Sequence, residues 1–287
     1  MHRAEVVRVM LAWIEENISG RLTLDEVTCR SGYSKWHFQR IFREETGKIL
    51  GQYLRERRLT HTAFELRLSK KSITDIAWDH GFDSVQAFTR SFKRQFQVTP
   101  AVYRKTPSWP YNGMCPPIRL ELINVPPMNI VLQQEIRLLG RFNYYSYPRC
   151  RIDDGQLQLW MKYWVNFISA LTSRPKNLVG LLNYHAGEKK IDSVDFSYVT
   201  CVKGDEQGDE YPDLHAINIP GGMYACFYYK GVAEKLNEFI CHIYDTWLPL
   251  KGLNRLNGYD VIKYSIDESP TSAYDMKNIE IEYCIPI

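Results

Sequence analysis

The chain has 287 residues, which is enough for about two domains. Its 45% hydrophobic and 24% charged residues are typical of globular proteins and exclude a disordered chain, and the absence of an 18-residue apolar run argues against a transmembrane helix. Residues 1–110 carry 19 basic and 12 acidic side chains, a net charge of +7, whereas residues 111–287 carry 17 and 21, a net charge of −4, so the first part favours a polyanionic partner.

The first part of the chain is predicted to be helical. From Met1 to about Arg104 apolar residues recur at helical spacing, without strand-like alternation. The following segment, KTPSWPYNGMCPP, holds four prolines and reads as a linker, because proline removes backbone donors and disfavours helix in the residue before it. We therefore expect a domain at 1–105, a linker at 106–117 and a second domain at 118–287.

An internal repeat organises the first domain. Segments 22–55 and 71–105 match each other, with Gly32 aligned to Gly81 and the pair Phe38 and Phe42 aligned to Phe88 and Phe92. Each copy is predicted to form a short helix, a glycine turn and a second helix with the phenylalanines on its buried side. In both copies the second helix also carries a polar stripe: Ser34, Trp36, Gln39, Arg40 and Arg43 in the first, Gln86, Thr89, Arg90 and Lys93 in the second.

These stripes are of the kind that reads DNA. A helix-turn-helix presents its second helix to the major groove, where arginine pairs with guanine and glutamine with adenine. The alternative is that both stripes are ordinary solvated helix faces. The repetition of one polar stripe over one apolar stripe, with a tryptophan among Gln and Arg, favours DNA binding.

The segments GYSKWHFQRIFREETG and GFDSVQAFTRSFKRQFQVTPAVYR resemble the AraC/XylS family of bacterial transcription activators, and within it the stress-response branch of Rob, MarA and SoxS. The resemblance implies an all-α domain in which two helix-turn-helix subdomains are joined by a long central helix at about Leu50 to Leu68. It further implies a cytoplasmic monomer that binds an asymmetric promoter site in double-stranded DNA, contacts RNA polymerase and activates stress and multidrug-tolerance genes.

The resemblance also assigns roles to single residues. Val85 departs from the branch, which usually has glutamine there, so the second helix is expected to rely more on phosphate contacts. The base-contacting residues implied are Trp36, Gln39, Arg40, Gln86, Thr89 and Arg90, and the phosphate-contacting residues are Ser34, Lys35, Arg43, Lys93 and Arg94.

The second domain is predicted to be α+β, with two pseudo-repeated strand–helix–strand lobes. Strand-like runs include IRLELINV, MYACFYYKG, NLVGLLNY, DFSYVTCV, GYDVIKYS and NIEIEYCIPI. Two amphipathic helices lie between them, at 157–171 and 236–247. In the last strand Glu280 and Glu282 share one face, and the isoleucines and Tyr283 share the other.

PGGMYACFYYKG and the terminal EYCIPI resemble the GyrI-like effector-binding domain. The resemblance implies a cleft for a small amphipathic or cationic organic effector, with Glu282 as its central carboxylate. Aromatic side chains near a carboxylate attract cations. The aromatic candidates are Tyr145, Trp160, Tyr163, Trp164, Tyr184, Tyr224 and Tyr228.

Three alternatives stay open for this domain. The aromatic residues fit a hydrophobic core equally well, and the whole domain fits a protein-interaction or degradation-shielding module without a small ligand. Some GyrI-like domains hydrolyse small reactive molecules, which would make Glu282 a general base. No H-E-x-x-H, G-x-S-x-G, Walker A or G-x-G-x-x-G run occurs, so we expect no cofactor, no metal and no enzyme activity. The seven cysteines lack C-x-x-C spacing, so we expect neither a disulfide framework nor a zinc site.

Overall fold

Seven helices form the N-terminal part of the computed structural model. It describes residues 3–120, 126–148, 162–164, 166–168, 178–186, 193–203, 214–265 and 278–287. The helices are α1 (Arg3–Asn17), α2 (Leu24–Ser31), α3 (Lys35–Thr46), α4 (Leu50–Leu68), α5 (Ile73–Asp79), α6 (Val85–Phe96) and α7 (Pro100–Lys105).

Hydroxyl side chains start most of these helices. Thr23 forms a capping box with Glu26 at α2, and Ser34, Ser72, Ser84 and Thr99 each accept a backbone N–H of the first turn of the helix that follows. The turn of the first helix pair is made by a left-handed Gly32 (φ 74°), and that of the second by Gly81 (φ 70°). The two copies of the sequence repeat are therefore two helix-turn-helix pairs.

The central helix α4 supplies side chains to two separate cores. Leu50, Tyr53 and Leu54 pack with α1, α2 and α3, around Phe38 and Phe42. Leu59, Ala63 and Leu66 pack in a second cluster, around Phe88 and Phe92. With 19 residues at 1.5 Å each, α4 is about 28 Å long and fixes the separation of the two helix pairs.

Part of the proline-rich interval packs against the helices. The chain divides into two compact units. The first comprises Met1–Thr106, Pro110–Val125 and Tyr244–Leu253, and the second comprises Pro107–Trp109, Pro126–Ile243 and Asn254–Ile287. We call residues 110–118 of the first unit the strap. Cys115 N–H donates to Thr60 (3.0 Å), Arg57 donates to the Cys115 carbonyl (2.5 Å), and Ile118 N–H donates to the Tyr53 hydroxyl (3.1 Å).

The strap touches both cores. Cys115 belongs to the first cluster, with Ile118 and Leu120 packed against it, and Met114 packs against the second. Residues 118–120, which open the predicted strand IRLELINV, are therefore not a strand, because their apolar side chains are used by the helical core. The remainder of that run lies outside the described residues.

The second unit is built on an eight-stranded antiparallel sheet. Its order is β1-β6-β8-β7-β3-β4-β2-β5. The strands are β1 (Met128–Gln133), β2 (Ile136–Pro148), β3 (Leu178–Ala186), β4 (Ser193–Lys203), β5 (His215–Ile219), β6 (Gly222–Val232), β7 (Asp260–Tyr264) and β8 (Asn278–Pro286). A helical N-terminal part followed by an α+β part with an antiparallel sheet confirms the coarse fold class predicted from the sequence.

Two short connections force this sheet to curl. β1 and β2 are six strands apart in the sheet order, about 29 Å in a flat sheet, yet only residues 134 and 135 join them, a reach of about 11 Å. β5 and β6 are likewise six strands apart and are joined by Pro220 and Gly221. One buried cluster accordingly unites side chains of both sheet ends, including Ile217, Tyr224 and Cys284. We call the face that carries this cluster the inner face.

Helical segments lie between the strands along the chain. Residues 162–164 and 166–168 are helical, inside the first predicted helix, and the rest of that prediction lies outside the described residues. The second predicted helix appears as a 3-10 turn (Ala233–Lys235), α8 (Leu236–His242) and a π-helical turn (Ile243–Trp247), followed by α9 (Leu248–Lys251). Tyr229 of β6 packs on Phe239 of α8 on the outer face, with ring centroids 4.8 Å apart.

One cysteine pair forms a single disulfide, although the cysteine spacing argued against a disulfide framework. Cys226 of β6 and Cys284 of β8 are directly opposed in the sheet register and are bonded to each other. The sequence shows no such signal, because the two residues are 58 positions apart and only the strand pairing brings them together. Among the described residues, no helix is both long enough and apolar enough to cross a membrane.

Candidate DNA-binding surface and effector domain

The first candidate surface lies on α3. Phe38, Ile41 and Phe42 are buried on one side, and Trp36 on the other side keeps 70% of its surface exposed. Arg40 is also exposed, and Gln39 is half-buried beside it. The indole therefore presents a large apolar surface to solvent on the side of α3 opposite the core.

Arg40 is already oriented on this surface. Its guanidinium lies 5.1 Å from the centroid of the Trp36 ring and 3.8 Å from the Glu44 carboxylate. Both contacts lie at the solvent-exposed side of α3, where such interactions are each worth about 1 kcal/mol or less. DNA can therefore replace them at little cost.

The second candidate surface lies on α6 and repeats this arrangement. Phe88, Phe92 and Phe96 are buried, Gln86 and Arg90 are exposed, and Thr89 is half-buried. Val85 is half-buried and packs against the second helical core. The residue that departs from the family pattern thus serves the core at the start of α6.

The residues assigned to phosphate contacts surround these two stripes. Lys35, Arg43, Lys93 and Arg94 are exposed, and Ser34 caps α3 by accepting the His37 N–H at 3.4 Å. Lys35 is paired with the Asp25 carboxylate at 2.6 Å, an exposed contact that is weak in solution. Cations at the edges of a helix surface are suited to positioning a protein on the phosphate backbone.

A buried polar cluster holds α1 against α4 behind the first surface. Arg57 pairs with Glu15 through three hydrogen bonds of 2.5, 3.0 and 3.1 Å, and the Tyr53 hydroxyl donates to the same carboxylate at 2.8 Å. Burial alone would raise the pKa of Glu15, but the nearby His61 imidazole, 3.9 Å away, and the charge and hydrogen bonds of Arg57 lower that pKa to about 2. The carboxylate is therefore ionised at neutral pH. Sequence reasoning missed this cluster, because its members are spread over α1 and α4.

In the second unit the candidate ligand residues fall into two groups. Glu282, Tyr228 and Tyr224 lie on the inner face of the sheet. Glu282 accepts a hydrogen bond from Lys263 at 2.8 Å, with about two fifths of each side chain exposed. Tyr228 is directly opposed to Glu282 and is also partly exposed, whereas Tyr224 is buried and donates to the Pro220 carbonyl at 3.3 Å.

The remaining described candidates lie on the outer face. Tyr145 stacks on Phe196 at 5.2 Å and contacts Tyr163 at 6.2 Å, and Tyr184 meets the same Phe196 edge-on at 5.0 Å. The indole N–H of the buried Trp164 donates to the Tyr198 hydroxyl at 2.9 Å. Trp160 lies outside the described residues. The structure thus gathers four aromatic candidates on one face and Glu282 with two tyrosines on the other.

A buried ion pair on the outer face was not anticipated from the sequence. Asp260 is fully buried, pairs with Arg255 at 3.0 Å and accepts the Tyr283 hydroxyl at 2.7 Å. Arg255 also lies 5.6 Å from the ring centroid of Trp109. Burial, followed by the negative charge of Asp260, raises the pKa of Tyr184 well above its usual value. A single Asp inside GYDVIKYS gives no signal of this role, because the partners come from other segments.

Known protein families match both parts of the chain. Residues 27–106 match a family described as a helix-turn-helix domain, and residues 149–287 match one described as a GyrI-like small molecule binding domain. These matches cover the two helix-turn-helix pairs and most of the sheet.

Complete proteins are also similar to this chain. Transcriptional regulator Rob of Salmonella typhimurium is 36% identical over 288 residues, covering 100% of this chain and 99% of that protein. Right origin-binding protein of Escherichia coli K12 is 35% identical with the same coverage. The multiple antibiotic resistance protein MarA of Escherichia coli K12 is 48% identical over 103 residues, covering 36% of this chain and 81% of MarA. The family resemblance predicted from the sequence motifs is thereby confirmed, and the chain belongs to the family of transcriptional regulator Rob, with an AraC-type helix-turn-helix part and a GyrI-like part.

Proposed function

We propose that this protein is a transcription activator that binds an asymmetric promoter site as a monomer through α3 and α6. The observation that carries the proposal is the pair of exposed stripes, Trp36 with Gln39 and Arg40 and Gln86 with Thr89 and Arg90, on two helices that share one rigid spacer. Two reading helices on one chain make a second copy unnecessary. The names of its relatives, a transcriptional regulator, an origin-binding protein and an antibiotic resistance protein, support a DNA partner and tolerance genes as targets.

The roles we assign divide recognition between bases and phosphates. Trp36, Gln39 and Arg40 read bases in one major groove, and Gln86, Thr89 and Arg90 do so in the next, about 34 Å along the duplex. Because Val85 packs inward, the second helix depends more on its cations. Ser34, Lys35, Arg43, Lys93 and Arg94 hold the phosphate backbone.

Selection from random DNA with the full-length protein tests this function. We expect one asymmetric site that contains two conserved segments about one helical turn apart, bound by one protein per duplex. Insertion of half a turn between the segments should remove specific binding, since the spacer α4 is rigid. Recovery of a palindrome bound by two copies, or no enrichment at all, would contradict the proposal. Genome-wide mapping of the sites bound in the cytoplasm then tests the target genes. A transcription assay with purified RNA polymerase tests activation.

We further propose that the GyrI-like part is a duplicated unit that senses a small amphipathic or cationic effector. The strand order supports the duplication. If β1, β2, β3 and β4 are exchanged with β5, β6, β7 and β8, the new order is the original order read from the other end of the sheet. Glu282 supports a cationic ligand, since its carboxylate is partly exposed beside Tyr228. Tyr224 and Tyr228 share the face of Glu282 and are its proposed aromatic partners. Tyr145, Tyr163, Trp164 and Tyr184 lie on the outer face and would serve a separate site, and Trp160 stays a prediction outside the described residues.

Ligand titration of the full chain tests the sensing role. Cationic dyes, bile-acid-like compounds and fatty acids are added to wild type and to Glu282→Gln, and thermal shift and heat are measured. We expect a cationic compound to raise the melting temperature of wild type more than that of Glu282→Gln. If no compound shifts either protein, the domain is a protein-interaction or shielding module instead. Turnover of a small reactive ester that disappears in Glu282→Gln would make it a hydrolase.

A further inference from the structure

The inner face of the sheet carries a compact group of metal-ligating side chains next to Glu282. Cys226 and Cys284 are directly opposed on β6 and β8, with Cα atoms 4.0 Å apart. Glu282 lies two residues before Cys284 and therefore on the same face. The two sulfurs and a carboxylate oxygen of Glu282 all lie within 4.8 Å of one another. Three potential ligands from two neighbouring strands thus converge on one point.

This separation suits a single thiophilic cation. A Zn–S bond is about 2.3 Å and a Zn–O bond about 2.0–2.2 Å, so two ligands of one ion lie at most about 4.6 Å apart. Once the disulfide is reduced, the two sulfurs separate from bonding distance, and small rotations of the Glu282 and cysteine side chains bring all three atoms to the separations that one ion requires. Thiolates select soft cations over Mg²⁺ and Ca²⁺, which prefer oxygen.

The surroundings balance the charge of such a site. Two thiolates and the Glu282 carboxylate carry three negative charges, which a divalent cation and the Lys263 ammonium, 2.8 Å from Glu282, neutralise together. The sulfurs are buried in one cluster with Leu181 and Val261, whereas Glu282 is partly exposed. Low polarity around the sulfurs strengthens the attraction between thiolate and cation.

We propose that Cys226, Cys284 and Glu282 bind one divalent cation of the zinc and cadmium class when the disulfide is reduced. A dithiol reductant supplies two electrons and two protons, so that the S–S bond breaks into two thiols and the reductant becomes its own disulfide. The cation then displaces the two thiol protons to solvent and forms two metal–sulfur bonds. The disulfide and the metal therefore exclude each other, which links the occupancy of this site to the thiol redox state.

Cadmium titration of the full-length protein tests the proposal. The protein is reduced with dithiothreitol, freed of reductant under argon, and checked by mass spectrometry for free thiols at 226 and 284. Cd²⁺ is then added, and the thiolate-to-cadmium absorption in the ultraviolet is recorded together with the mass of the intact complex. We expect one tightly bound Cd²⁺ per chain, and several-fold weaker binding by Glu282→Gln.

Two controls make the result decisive. The oxidised wild type has the same sequence and fold, and it should lack this Cd²⁺. Cys201→Ser removes a buried thiol from the same core and should keep it, whereas the double variant C226S/C284S should lose it. Equal binding by the oxidised protein or by the double variant would overturn the proposal, as would the absence of binding by the verified reduced wild type. No DNA or organic effector is present, so the outcome is independent of the function proposed above.

Discussion

Arg40 illustrates how single residues prepare the proposed DNA-binding surface. Its guanidinium rests over the Trp36 ring and beside Glu44, so both its position and its charge are partly fixed before DNA arrives. A side chain ordered in advance loses less conformational entropy on binding. Lys93 on α6 is exposed and is assigned only to the backbone, which provides a comparison.

Replacing these two residues should produce different patterns of loss. Arg40→Ala should cost about 1–3 kcal/mol on the selected site and relax the preference at one base pair. Lys93→Ala should weaken binding to the selected and scrambled sites alike. It should also lower the salt dependence of the binding constant by the amount expected for about one phosphate contact. Fluorescence anisotropy with both duplexes at several salt concentrations measures this. Equal losses on both duplexes for Arg40→Ala would show that Arg40 does not read bases.

Tyr53 joins three segments through one hydroxyl group. It donates to Glu15 of α1 and accepts the Ile118 N–H of the strap, and its ring is fully buried. Tyr53→Phe should lower the free energy of unfolding by about 1–3 kcal/mol, because it leaves both partners without this hydrogen bond. Tyr144→Phe, at a side chain that is 69% exposed, should change it by less than about 0.5 kcal/mol. Urea unfolding compares them, and equal effects would argue against the role of the Tyr53 hydroxyl.

At the scale of elements, the helices follow from local signals and the strap does not. α4 begins at Leu50 and ends at Leu68, as predicted. Its apolar stripe is a local signal, and its bounds follow from the family resemblance. The proline-rich interval reads as a linker because its composition lacks periodicity, yet Cys115 and Met114 enter two helical cores. Distant parts of the chain determine which apolar residues of an irregular segment become buried in a core.

The candidate ligand site shows the same limit in the sheet. Sequence alternation predicts that Glu280 and Glu282 share a face, and the burial of their neighbours agrees with this. It does not tell which strands pair. The register that sets Glu282 beside Lys263 and Tyr228, and Tyr145 on the opposite face, joins residues from distant strands and becomes visible only in the structure.

The conformation of the strap predicts contrasting effects of two glycine substitutions. Gly113 has φ +87°, and a Cβ there would lie 2.5 Å from the Gln95 carbonyl oxygen. Gly113→Ala should therefore destabilise the protein by about 1–3 kcal/mol. Gly51 is helical and a Cβ there meets nothing within 4 Å, so Gly51→Ala should stabilise by up to about 1 kcal/mol. Thermal unfolding of both variants measures this, and a neutral Gly113→Ala would show that the strap yields easily.

For the whole molecule, buried titratable groups make stability depend on pH. The pKa of Glu15 is about 2 in the folded protein, against an ordinary value of 4.5. The ionised Glu15 therefore contributes its full stabilisation of the fold above pH 4.5, and this stabilisation is lost as the pH falls towards 2. Burial lowers the pKa of His80 to about 4 from 6.5, so the unfolded chain takes up this proton first and stability starts to fall below pH 6.5.

We therefore expect the free energy of unfolding to fall as the pH decreases from 6.5 to 4 and again from 4.5 to 2. The loss due to Glu15 is at most about 3 kcal/mol. Glu15→Gln should be less stable at neutral pH and should show a smaller loss between pH 4.5 and pH 2. Glu16→Gln, at an exposed neighbour, should follow the wild-type curve. Urea unfolding at a series of pH values measures the slopes, and identical slopes for Glu15→Gln and wild type would contradict the assignment.

The shared use of α4 by two cores has a consequence for how the DNA-binding part melts and how it can be rebuilt. Neither helix pair keeps its interior if this helix frays, so both are expected to unfold in one cooperative step rather than one after the other. For the same reason, a chimera that grafts one pair from a relative has to carry over its half of α4 with the matching apolar residues.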